Sequence, residues 1–166
     1  GIHSITCEEF GLKSYGIDIS KHAINQAKIN AKHKGMNDLA DRFQVIGSQK
    51  QKINFDDNFF DITIAESCLY SMEFEFAKKY FKELKRVSKD IIYFSVISSI
   101  DNNNICGDHI VSSDHEKETI QSYFDKDTIM EMTESKISDF LFLKHIVEEN
   151  LKDKSLNGRY YGALKV

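Results

Sequence analysis

The chain has 166 residues, 41% of them apolar and 11% aromatic, which is enough for one domain with a true hydrophobic core, and its net charge of −4 argues against a basic nucleic-acid-binding or membrane-surface protein. No apolar run approaches the roughly 20 residues a membrane-spanning helix needs, and the opening "GIHSITCEEF" lacks the basic and apolar regions of a secretory signal. The three cysteines, Cys7, Cys68 and Cys106, are odd in number, widely spaced and form no C-x-x-C pair, so free thiols and a cytoplasmic location are expected.

In chain order, "HSITCEEF" is short and amphipathic, and Gly11 suits a left-handed cap at its end. "LKSYGIDI" reads as a strand with Tyr15, Ile17 and Ile19 on one face. Ser20 is a good N-cap for "KHAINQAKINAKHK", whose Ile24, Ala27 and Ala31 form an apolar stripe that Gly35 ends. "RFQVIG" is a second strand, and "FFDITIAES" a third, apolar enough to be buried on both faces. "FEFAKKYFKELKRVS" is the clearest helix, with Phe76, Ala77, Tyr80, Phe81, Leu84 and Val87 at helical spacing. "DIIYFSVIS" is a fourth strand and "SIDNNNICGDH" reads as loop. Asp125 caps a short helix, "KDTIMEMTES", and "DFLFLKHIVEE" and "RYYGALKV" form strands around the turn-rich "KDKSLNG". The pattern is α/β: a Rossmann-like, mainly parallel sheet with helices on both faces and a C-terminal antiparallel hairpin closing one edge.

In such a sheet ligands bind beyond the carboxyl ends of the strands, and Asp18 is predicted at one of those ends. A carboxylate there suits the paired hydroxyls of a ribose, and Ile19 beside it suits the face of a base. The plainer alternative is that Asp18 only favours the start of the next helix electrostatically.

Three stretches, "YGIDISKHAINQAKINAK", "FQVIGSQKQKINFDDNFFDITIAESCLYSM" and "FAKKYFKELKRVSK", resemble in order and spacing the class I S-adenosylmethionine (SAM)-dependent methyltransferases. The resemblance implies one methyltransferase domain over 1–166, with an insert at 99–124 over the active site. It implies SAM as cofactor, with Asp18 on its ribose and Ile19 against its adenine. Ser48 stands where the family often has an acidic residue for the adenine, so Ser48 and Gln49 are the candidates for that contact. Gly1 stands as the last glycine of the family's G-x-G-x-G loop, so the first strand and most of that loop are expected ahead of it. The 166 residues alone are therefore expected to be unstable or to bind SAM poorly.

Methyl transfer from a sulfonium is an in-line displacement, so the protein mainly aligns the reactants, and a base serves only if the nucleophile must lose a proton. Glu66 and Tyr70, where "AESCLYSM" ends the third strand, are the candidate catalytic residues, Glu66 as base or as a contact to the SAM amino group, Tyr70 as a substrate contact or cover. Capping by Glu66 and packing by Tyr70 are equally open from sequence. Asp56, Asp57 and Asp61 read as turn and structural residues, Cys68 as a buried, inert thiol. His109, Asp114, His115 and Glu116 lie in the insert without a metal-ligand spacing, so no metal is expected. Arg159, Tyr160 and Tyr161 either rim a substrate pocket or pack as an edge strand. The expected partner is a small-molecule methyl acceptor, with neither nucleic acid nor membrane. The oligomeric state has no sequence signal. A non-catalytic relative and a nicotinamide-dependent oxidoreductase are the competing readings; a strand antiparallel to the rest in the C-terminal third favours the methyltransferase over the latter.

Overall fold

A computed structural model describes residues 1–47, 52–102, 104–111 and 118–166. It divides into two compact units, Gly1–Asn54 and Phe55–Val166. Among the described residues no helix is long and apolar enough to cross a membrane.

The first unit runs α1 (Ile2–Glu9), β1 (Gly16–Asp18), α2 (Lys21–His33), α3 (Asn37–Asp41) and β2 (Phe43–Val45). β1 and β2 pair in parallel, with Asp18 opposite Val45. The expected stripe of α2, Ile24, Ala27 and Ala31, is buried with Ile5, Leu39, Ala40 and Phe43. The side chain of Ser20 accepts the N–H of Ala23, the N-cap bond its position predicts. Gly11 and Gly35 take the left-handed backbone, φ +77° and +76°, that lets the chain turn out of α1 and α2.

β1 is shorter than the expected Leu12–Ile19. The reason lies in the backbone of Ser14, whose N–H goes to the Glu8 carboxylate at 2.7 Å, away from any ladder. Arg42 donates from Nε to the Ser14 carbonyl at 2.8 Å and pairs through Nη2 with Glu8. Burial pushes the Glu8 carboxyl up, but the Ser14 amide and the Arg42 charge outweigh it and leave the group below the usual carboxylate range. The five-residue α3, before β2, has no counterpart in the sequence reading.

The second unit holds β3 (Phe60–Ala65), α4 (Phe74–Val87), β4 (Ser88–Ile97), β5 (Gly107–Ile110), β6 (Ile120–Tyr123), α5 (Lys126–Thr133), β7 (Phe140–Glu149) and β8 (Leu156–Lys165). Its main sheet has the order β3-β4-β8-β7. β3 and β4 are parallel, joined through α4, while β8 runs antiparallel to both its neighbours. This is the α/β class expected, with the C-terminal hairpin in place. α4 buries Ala77, Phe81, Leu84 and Val87, and Phe81 meets Phe94 edge-on at 5.4 Å. Asp125 caps α5 in a reciprocal capping box with Thr128.

Two expectations need correction. β3 is not buried on both faces: Ala65 is buried, but Ile62 and Ile64, on the opposite face, are 52% and 44% exposed. Among the described residues β3 pairs with β4. The stretch after β4 is more than loop: a 3₁₀ turn at Ser99–Asn102 leads into β5, which pairs antiparallel with β6.

Phe81 has no exposed surface, so Phe81→Ala is expected to cost about 3–5 kcal/mol. Urea unfolding should show a lower midpoint at unchanged slope; a loss below about 1 kcal/mol would remove this ring from the core.

Candidate functional site

The predicted residues fall into two groups, one in each unit. In the first unit Asp18 ends β1 and is exposed. One of its oxygens, Oδ1, accepts the Ser20 N–H at 2.8 Å, an Asx-type turn that aims the side chain outward from the strand tip. Ile19 is 61% exposed beside it, an apolar surface next to a carboxylate. Gly1 is the N-cap of α1, which has no side-chain cap. A Cβ on Gly1 would stand 2.6 Å from the Cβ of Ala27 and 3.2 Å from the Phe43 ring, so only glycine fits there. Ser48 and Gln49 lie outside the described residues, as do Asp114, His115 and Glu116.

In the second unit the chain turns sharply just after β3. Ser67 takes a left-handed backbone, φ +55°, unusual for a residue with a side chain, and its N–H is held by the Ser95 hydroxyl at 3.0 Å. This turn sets Glu66 on the face of the sheet that carries Tyr93. The Tyr93 phenol stands close enough to Glu66 for the Glu66 charge to add to the effect of burial on it. One carboxylate oxygen of Glu66, Oε2, is buried and has no hydrogen-bond partner among the described residues. A buried carboxylate oxygen without a donor is costly, and such groups in folded proteins call for an explanation. Tyr70 is half-buried, and the Arg159 guanidinium lies 5.4 Å from its ring centre. Glu66 and Tyr70 are thus brought into one region of the unit, with Tyr93, Ser95 and Arg159.

The segment that carries Tyr70 is fastened to the insert. The Ser122 N–H on β6 donates to the Tyr70 carbonyl at 2.8 Å. The Ser122 hydroxyl lies 2.6 Å from the Met72 carbonyl and 2.5 Å from Asp108 Oδ1. Asp108 also accepts the Phe74 N–H at the start of α4, at 2.8 Å. His109 is on β5, edge-on to Tyr123 at 5.6 Å. Asp61 is exposed with Lys89 at 3.5 Å, and Asp57 pairs with Arg86 at 2.7 Å. Cys68 is exposed, not buried as its apolar neighbours suggest, because it follows the turn that leaves the sheet. Cys106 is the thiol whose ionisation is suppressed, first by burial and then by the Asp125 carboxylate it bonds.

Tyr93, Ser95, Asp108 and Ser122 are absent from the sequence reading. A signal for the first two was present: in "IIYFSVIS" the polar residues recur at the two-residue period of one strand face.

Within the units the strands pair in parallel as β1–β2 and β3–β4, and β8 is antiparallel to β4 and β7. A methyltransferase domain family matches residues 4–154, and the chain belongs to that family. Among curated proteins none matches. A SAM-dependent methyltransferase of Methanosarcina mazei superposes with a TM-score of 0.71 at 17% identity, over 98% of this chain and 85% of its own. A protein of Pyrococcus horikoshii superposes with a TM-score of 0.65 at 18% identity, over 99% and 76%. The 1,6-didemethyltoxoflavin-N1-methyltransferase of Burkholderia thailandensis, solved with 1,6-didemethyltoxoflavin and S-adenosylhomocysteine, gives 0.67 at 12% identity, over 99% and 66%. At these identities the likeness is one of fold.

The cofactor of this family is SAM, and the described residues suit it. Among the described residues Asp18 Oδ2 takes no hydrogen bond, the neighbouring Ile19 is an exposed apolar surface, and Gly1 caps α1 without a side-chain bond.

Burial first, and then the Glu66 charge, raise the Tyr93 phenol above its ordinary value; burial does the same for Tyr160. A raised phenol stabilises the fold below its ordinary value of about 10 and loses that contribution as pH climbs through the folded value. Alkaline titration of phenolate absorbance should show both tyrosines ionising late. Tyr93→Phe should remove one late step, and Glu66→Gln should bring that step partway down; an unchanged titration in Glu66→Gln would break the Glu66–Tyr93 contact.

Proposed function

We propose that the chain is a SAM-dependent methyltransferase of the cytoplasm that methylates a small molecule, and that its two units form one methyltransferase domain. The family match runs through both units. The observation that carries the reading is the position of Asp18, an exposed carboxylate at a strand tip with Oδ1 spent on the local turn and no hydrogen bond to Oδ2 among the described residues. Asp18 holds the ribose hydroxyls, Ile19 lies against the adenine, and Gly1 leaves room for the methionine portion. Ser48 and Gln49 complete the adenine contacts.

SAM supplies an activated methyl group when bound. The chain's own part is to place and deprotonate the acceptor. Glu66, with Oε2 buried and without a partner among the described residues, accepts a hydrogen bond, and then the proton, from the nucleophile. Tyr70 closes over the acceptor, held there by Ser122 through its backbone carbonyl. The insert, 99–124, covers this region through its β5–β6 hairpin. The small insert and the charge of −4 support a small acceptor rather than nucleic acid or a membrane.

Isothermal titration of the full chain with SAM tests the cofactor role. Asp18→Ala should bind about 10- to 150-fold more weakly, the equivalent of about 1.5–3 kcal/mol for hydrogen bonds to a charged group. Equal affinity in variant and parent would remove the ribose role. For the chemistry, radiolabelled SAM is incubated with the low-molecular-mass fraction of a cell extract. Label should pass into a small product, and Glu66→Gln should lower the rate by about 10²–10⁴-fold with SAM affinity kept. A loss of SAM affinity instead would assign Glu66 to the cofactor's amino group, and label found only in macromolecules would exclude a small acceptor.

A further inference from the structure

Arg159 carries the second buried orphan of the structure. Its Nη1 is sealed from solvent and has no hydrogen-bond partner, and among the described residues the guanidinium makes no ion pair. A guanidinium is always charged and offers five N–H donors in a planar fork. Leaving part of that fork dry and unpaired costs more than it would for a neutral group. Arg159 sits on β8 opposite Ile97 of β4 and Ile146 of β7, in the interior of the sheet where its backbone position is fixed on both sides. Two residues on, Tyr161 lies opposite Ser95, the residue that holds the turn after Glu66. The Tyr70 ring lies against the guanidinium and fixes its plane.

Asp101, in the 3₁₀ turn after β4, feels the Arg159 charge, which offsets part of the effect of its burial. Asp101 spends an oxygen on the Gly158 N–H, next to Arg159 in the chain, and among the described residues makes no ion pair with the guanidinium. Ser98 and Ile100 crowd the space where a Cβ of Gly158 would stand, so this turn is packed onto the start of β8. Asp101 therefore lies beside Arg159 with its bonded oxygen turned to the backbone of Gly158.

We propose that Arg159, braced by Tyr70, is an anion-binding subsite of the acceptor pocket, and that the methyl acceptor carries an oxyanion, a carboxylate or a phosphate, which this guanidinium orients. The proposal rests on the methyltransferase reading in that Glu66 and Tyr70 belong to the same region. Arg159 takes the acceptor's charged end by parallel N–H···O bonds, and Glu66 receives the hydrogen bond of the nucleophile. Arg159 is half-buried as a whole, so rotation about its outer bonds presents Nη1 without moving β8.

The test uses the full chain and two probe pairs, benzoate against benzamide and phenyl phosphate against phenol, titrated by NMR with and without S-adenosylhomocysteine. At least one anion should bind ten-fold or more tightly than its neutral partner. Arg159→Gln should abolish that preference, with S-adenosylhomocysteine affinity unchanged. Asp101→Asn, which removes the opposing charge, should strengthen anion binding. A structural Arg–Asp pair would make both variants weaken it. No preference in the parent chain, or a preference that survives Arg159→Gln, overturns the proposal. Loss of S-adenosylhomocysteine binding in Arg159→Gln assigns the residue to the cofactor and overturns it as well. If the parent chain prefers the anions but takes up no S-adenosylhomocysteine, the cofactor reading fails while the anion subsite stands.

Discussion

Ser122 joins three pieces of the second unit at one point: its backbone holds the carbonyl of Tyr70, and its hydroxyl lies between the Met72 carbonyl and the Asp108 carboxylate. Asp108 in turn meets the first free N–H of α4. A helix start needs acceptors for its unsatisfied donors, and here the acceptor comes from the insert. The segment after β3, the entrance to α4 and the β5–β6 hairpin are therefore one mechanical part. Moving any of them exposes or strands buried polar groups in the others, and that keeps Tyr70 against Arg159 and Glu66 against Tyr93.

The candidate site is a set of polar groups only partly satisfied by their own chain. Glu66 and Arg159 each end in a buried atom without a partner, one acceptor and one donor, on the same unit. Folded proteins pair nearly all such groups. Two leftovers of opposite sign in one region fit a ligand that brings one donor and one acceptor, such as an acceptor molecule with a nucleophilic N–H or O–H at one end and an oxyanion at the other.

What could be read from the sequence was mostly what is local. The cap at Ser20, the stripe of α2, the helical face of α4 and the cap at Asp125 depend on residues within a turn or two, and each is found as expected. Asp18 was legible for the same reason, since its place follows from where β1 ends and α2 begins. The β5–β6 hairpin was not, because its polar, Asn-rich lead reads as loop and its pairing is completed by distant partners such as the bridge of Phe124 to Ser98. Arg159 was visible as a residue but not as a site. Its surroundings are set by the register of β8 against β4, which no short window of sequence encodes.

The placement of β8 between β4 and β7 also bears on how the unit comes into being. Residues 156–165 are made after all seven other strands, yet they alone connect β7 to the rest of the main sheet. On a ribosome, which delivers the N-terminal portions of a chain first, β3, α4 and β4 emerge early and wait with one edge of β4 unclaimed. During that interval the nascent chain shows an apolar strand edge, which makes it a natural client for chaperones.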